Sequence, residues 1–180
     1  MMASAPGGTP WHSRATCRTC GFGTCSTTSS PAIGGKVDCN GGRQAHEFYT
    51  RDGLFAVGDN QFLGQENIRA FYTWRRRRGL RTSRHLIHNL RVVSSDECRS
   101  SHVAMLGIYQ ANGRPPIRGS QPPNLIADVK ADCVRGDDGV WRYQSQSVLP
   151  IFVGSDMPLA LAVDAQILCD IKRSTVAQTP

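Results

Sequence analysis

The sequence is short of lysine, acidic residues and aromatics, and it has no long apolar run. Lysine supplies only Lys36, Lys130 and Lys172 of the 21 basic residues, against 14 acidic ones, so the net charge of +7 is carried by arginine. No apolar stretch approaches the ~18 residues of a membrane-spanning helix, so no membrane partner is expected. The start, MMASAPGGTPWHSRATC, lacks the apolar segment of a secretory signal, and a cytoplasmic protein is expected. HExxH, a phosphate loop, a GxSxG elbow and a dinucleotide fingerprint are all missing, which disfavours metallohydrolase, kinase and dehydrogenase chemistry. Aromatics make up 7% of the chain and no RNA- or DNA-binding motif is present, which argues against nucleic acid as the partner of the basic charge. The densest run, Arg75 to Arg78, reads as a solvated helix end that complements the helix dipole. The competing reading is contact with an anionic group, such as coenzyme A or a phosphate-bearing substrate.

What is present divides near residue 45. Residues 1–44 are rich in Gly, Ser, Thr and Cys and show no helical or strand period, so an irregular segment is expected there. It holds Cys17, Cys20, Cys25 and Cys39, whose spacing fits no zinc-binding module; ordinary thiols and no metal are expected. Cys98, Cys133 and Cys169 are isolated and read as small apolar residues.

Beyond residue 45 the pattern becomes regular. Gly53 to Val57 reads as a strand, Gln65 to Arg78 as a helix with Ile68, Phe71, Tyr72 and Trp74 on its apolar side, and Gly79 as its stop. Arg84 to Val93 and His102 to Gln110 form an antiparallel pair. NGRPPIRGSQPPN is a loop, and Leu125 to Val134 with Val140 to Phe152 make a hairpin around GDDG. Four antiparallel strands and one long helix argue for an α+β domain, a curved sheet wrapped around a helix. Residues 45–154 form that domain, and 155–180 are a C-terminal tail, either helix or strand.

Within it, TSRHLIHNLRVV (82–93) places His85, Ile87, Asn89 and Arg91 on one strand face, and Leu86, Leu90 and Val92 on the other. An imidazole beside an amide on a concave sheet suits a small-molecule pocket, while a satisfied core histidine is the competing reading.

Several of these pieces occur together in a known family. Asp52-Gly53 opening a strand, Gly64-x-x-x-Ile68-Arg69 opening a helix, the Arg84-His85 strand, Asp132, Asp138-Gly139-x-Trp141 and the closing Leu149-Pro150-Ile151-Phe152 follow in order from Glu47 to Gly154. The stretch resembles a SnoaL-like domain of the nuclear-transport-factor-2-like superfamily, related to scytalone dehydratases and polyketide cyclases. The resemblance implies a cone-shaped, cystatin-like barrel, here with an atypical N-terminus. It implies a pocket lined by Tyr49, Phe55, His85, Asn89, Met105 and Tyr109, with His85 as proton shuttle and Asn89 and Tyr109 hydrogen-bonding a developing enolate. The family's first-helix aspartate finds no counterpart in the irregular N-terminal segment; Asp128 or Asp132 is then the acid placed to orient His85.

The activity so implied is that of a cofactor-independent lyase or isomerase, of the dehydratase or cyclase type, acting on a hydrophobic cyclic or aromatic ligand. The alternative is a non-catalytic binding or assembly protein resembling the small subunit of ring-hydroxylating dioxygenases. Without N-terminal helices to cover it, the concave face is expected to be buried in a homodimer.

Overall fold

The computed structural model describes residues 37–119, 121–163 and 165–176. Cys17, Cys20, Cys25 and most of the expected irregular segment therefore lie outside the described residues. Residues 37–40 are helical and 41–44 a turn; a 3-10 turn at Ala45–Phe48 follows. The chain continues through β1 (Tyr49–Val57), β2 (Asn60–Leu63), α1 (Gly64–Arg77), β3 (Arg81–Ser95), β4 (Arg99–Asn112), β5 (Leu125–Arg135), β6 (Trp141–Val153) and α2 (Ala165–Val176).

The α+β expectation holds, with two corrections. The strands form one curved six-stranded sheet in the order β2-β1-β6-β5-β4-β3, which joins the Gly53–Val57 strand and an unforeseen β2 to the four antiparallel strands expected, and it does not close into a barrel. It is also mixed: β1 runs parallel to β6, while every other neighbouring pair is antiparallel. The N-terminal strand inserts beside the C-terminal one, and that long-range closure is invisible to local periodicity.

Helix α1 forms because Ile68, Phe71 and Tyr72 recur at helical spacing and are all buried, with Glu66 in the first turn and Arg75, Arg76 and Arg77 in the last. It lays an aromatic layer over the concave face of the sheet. Phe62 and Phe71 have ring centroids 4.4 Å apart, Phe71 and Tyr72 5.1 Å, and Phe55 stacks on Phe62 at 5.8 Å. The core also takes in Val37 from the helical turn, and Val163 and Ile171 from the C-terminal stretch. The tail thus supplies a helix, α2, which packs on α1. Gly42, at φ 75° beside Gly41 at 66°, lies so close to Tyr72 that a Cβ there would overlap the ring.

The concave face is therefore covered within a single chain, and the exposed apolar surface is elsewhere, on the convex side and at strand ends: Leu86, Leu90, Met105, Leu149, Ile151 and Phe152. Cys98 and Cys169 are exposed rather than packed, as is Cys39, whereas Cys133 is buried. The GDDG turn is built as its sequence suggests. Asp138 accepts from Val140 N–H at 3.0 Å and takes a bidentate grip from Arg142 at 3.0 and 2.6 Å, which holds its carboxyl at about 2. Among the described residues no helix is long and apolar enough to cross a membrane.

Candidate functional site

A cavity of about 100 Å³ lies between α1 and the concave face. That is of the order of the ~150 Å³ apolar cavity known to admit benzene. Its walls are mainly apolar: Phe55 and Val57 from β1, Phe71 and Tyr72 from α1, Leu106 and Ile108 from β4, Leu125 and Val129 from β5. Among the described residues His85, Arg75, Gln110, Gln146 and the Tyr72 phenol bring polar groups to it.

His85 is oriented by a residue that the sequence reading passed over. Asp38, on the helical turn at 37–40, accepts from His85 Nδ1 at 2.7 Å, from the His85 backbone N–H at 3.0 Å and from Ser83 Oγ at 2.8 Å. The expectation that the N-terminal segment offers no acid to His85 is thus overturned. Burial raises the Asp38 carboxyl, but the His85 and Ser83 hydrogen bonds and the nearby imidazole outweigh it, leaving the group below its ordinary value and ionised. An ionised carboxylate can only accept, so Nδ1 carries a proton, and in the neutral ring the lone pair falls on Nε2. Side-chain exposure is 18% for His85 and 9% for Asp38, so solvent competes little with this pair. Asp128 and Asp132, the expected orienting acids, are exposed on the other side of the sheet. Asp132 instead ties β4 to β6 through Ser101 and Ser145, at 2.5 and 2.9 Å.

Register decides which neighbours share the cavity with His85. Ser83, His85 and Ile87 pair with Gln110, Ile108 and Leu106, and this set faces inward; Arg84, Leu86 and His88 pair with Tyr109, Gly107 and Met105, and face outward. Met105 and Tyr109 therefore do not line the cavity; the residues one position along, Leu106, Ile108 and Gln110, do. Asn89 also lies outside it. Asn89 has φ 51° at a register shift in the β3–β4 ladder, and its amide reaches Met105 Sδ at 3.3 Å on the surface. Phe55 lines the cavity, while Tyr49 is fully buried behind it and donates to Gln146 Oε1 at 2.6 Å, fixing that amide at the wall.

Further groups were missed. Gln110 Nε2 is buried without a hydrogen-bond partner among the described residues, a donor waiting at the cavity wall. Burial lowers the Arg75 guanidinium and pushes the Tyr72 phenol up to about 12, so the phenol stays protonated. Asn124 organises the floor: it accepts from Gln110 N–H at 2.5 Å and donates to Asp156 O at 3.0 Å, while Asn60 donates to Ala160 O at 2.9 Å. These bonds hold Pro158, Leu159 and Ala160 under the cavity. His102 lies apart, buried between β4 and β5 with Nε2 3.2 Å from Cys133 Sγ.

No protein-family model matches the chain, and no curated protein matches it. Solved structures do. A Catenulispora acidiphila protein in complex with S-DNPA aligns with TM-score 0.60 at 16% identity, covering 72% of this chain and 92% of its own. ActVI-ORFA from Streptomyces coelicolor aligns with TM-score 0.60 at 14% identity over 69% of this chain and 93% of its own. A provisionally assigned scytalone dehydratase from Novosphingobium aromaticivorans gives 0.62 at 10% identity, over 74% and 86%. At such identities the likeness concerns the backbone alone. The chain has the nuclear-transport-factor-2-like fold in its cystatin-like form, the fold of the SnoaL-like domains that its sequence resembles.

Proposed function

We propose that the chain is a cofactor-independent lyase or isomerase that moves a proton on a small, hydrophobic, cyclic or aromatic substrate. The observation that carries this reading is the 2.7 Å Asp38–His85 hydrogen bond at the wall of an apolar cavity. With Nδ1 committed to Asp38, His85 Nε2 is the base: it takes a proton from the carbon next to a substrate carbonyl, and the C–H electron pair becomes the enolate. Asp38 holds the ring in this tautomer and stabilises the imidazolium that forms. Gln110 Nε2 and the Arg75 guanidinium, both at the cavity wall, are the donors for the enolate oxygen. The imidazolium then returns its proton, either to another carbon, giving an isomer, or to a departing hydroxyl, giving water and an alkene. Apolar walls keep bulk water from quenching the intermediate.

The test compares three variants. His85→Ala removes the base, and turnover falls by about 10²- to 10⁴-fold. Asp38→Asn leaves the geometry but frees the tautomer, and activity falls by about 10²-fold or more. His88→Ala, on the outward face, leaves turnover within about twofold. Full activity in His85→Ala, measured on a cyclic ketone or β-hydroxyketone panel, would sink the proposal.

The alternative, a non-catalytic assembly protein, draws on the exposed Leu86, Met105, Ile151 and Phe152. We place these residues in a homodimer interface without giving up the proton-transfer reading, because the cavity opens on the opposite side of the sheet.

A further inference from the structure

Beside the cavity, and sharing Val37 and Arg75 with it, runs an open groove of about 920 Å³. Among the described residues six arginines line it, Arg43, Arg75, Arg76, Arg81, Arg84 and Arg114, against one acid, Asp38, which is already engaged by His85. Among the described residues none of the six forms a salt bridge. Arg76 Nη1 and Arg81 Nε and Nη1 are buried with no hydrogen-bond partner there. Burying unsatisfied guanidinium nitrogens among like charges is costly, and repulsion within the cluster lowers the affinity of Arg75 and Arg76 for their protons after burial has done so. A helix end made only for solvent needs neither the concavity nor the buried nitrogens.

We propose that this groove binds the phosphate or pyrophosphate group of a ligand whose apolar end occupies the neighbouring cavity. The second half of that statement rests on the proton-transfer reading; the anion site does not. A multiply charged anion is required because one carboxylate cannot match six cations, and the planar guanidinium fork suits phosphate oxygens. Among the described residues the groove wall has no aromatic side chain on which bases could stack, which favours a small phosphate ester over a nucleic acid. His85 and the phosphate group then lie at two ends of one continuous site, joined at Arg75.

The test titrates inorganic pyrophosphate into the full chain by calorimetry, at low salt and at about 150 mM, where surface fields are screened beyond ~8 Å. Saturable binding that raises the melting temperature and survives at the higher salt is expected. Arg81→Gln weakens it about tenfold or more, and Arg114→Ala, in an exposed loop where folding is not at stake, weakens it several-fold. His85→Ala keeps pyrophosphate affinity, so a dead catalyst that still binds upholds the anion site whatever becomes of the proton-transfer reading. Absence of both heat and melting shift in the intact chain overturns the proposal. So does unchanged affinity in folded Arg81→Gln and Arg114→Ala, or binding of a single-stranded oligonucleotide at 150 mM salt with none of pyrophosphate.

Discussion

The two halves of β3 have nearly the same hydrophobic alternation and opposite fates. In the near half, Ser83 is buried and His85 and Ile87 are half-buried, because α1, Val37 and Asp38 lie over that face. In the far half every residue from His88 to Ser95 is exposed, Leu90, Val92 and Val93 included. The alternation in TSRHLIHNLRVV says which residues share a face. What covers the face is decided by elements far away in sequence. The difference begins at Asn89, where left-handed backbone and a register shift end the regular ladder.

The largest effect expected from this contrast comes from uncovering the near half. Phe71→Ala removes the ring that roofs the cavity and costs about 3–5 kcal/mol in chemical denaturation, whereas Val93→Ala, in the far half, stays within about 0.5 kcal/mol. Similar losses for the two would erase the distinction between the halves.

A smaller effect is read in the melting temperature against pH. Burial depresses His46 and His102, so their unfolded forms take up protons first, near the ordinary 6.5. Stability that these residues leave intact above that pH is lost as the pH falls through it toward their lower folded values. Asp38 acts in a separate window: its depressed carboxyl stabilises the fold above 3.8, and that contribution disappears as the pH drops through the folded value. Two descending steps are expected, and His102→Gln shrinks the first alone. A flat profile between pH 7 and pH 5 would contradict the burial of both histidines.

Subtlest is the assembly of the exposed side. Light scattering at micromolar concentration is expected to return twice the chain mass, and the double change Ile151→Glu with Phe152→Glu to return a monomer. Monomer mass for the unaltered chain would leave that apolar surface unexplained by self-association.

How far the sequence speaks follows the same division. Helix α1, the β5–β6 hairpin and the inward face of β3 were legible, because each is set by local period and turn chemistry. The β4 residues were assigned one position out of phase, giving Met105 and Tyr109 in place of Leu106, Ile108 and Gln110, because an alternating strand looks equally good in either register until its partner is known. Asp38 was passed over for its surroundings, although it is the sole acidic residue among the first 42, a signal that was available. The parallel pairing of β1 with β6 and the floor held by Asn124 depend on contacts about 90 and 30 residues apart, which no window reads.

The bulge at Asn89 has one more effect, on how copies of the chain meet. Among the described strands β3 is an outer one, and apart from the His85 N–H held by Asp38 its 15 residues present a long outward row of backbone donors and acceptors to any passing extended segment. The left-handed residue interrupts that row in the middle, and Arg84, Arg91 and His88 flank the break with bulky polar groups. An incoming strand can match only a few residues before losing step. Continuous sheets built edge to edge from many chains are thereby discouraged, and contact between copies is steered to the faces of the sheet.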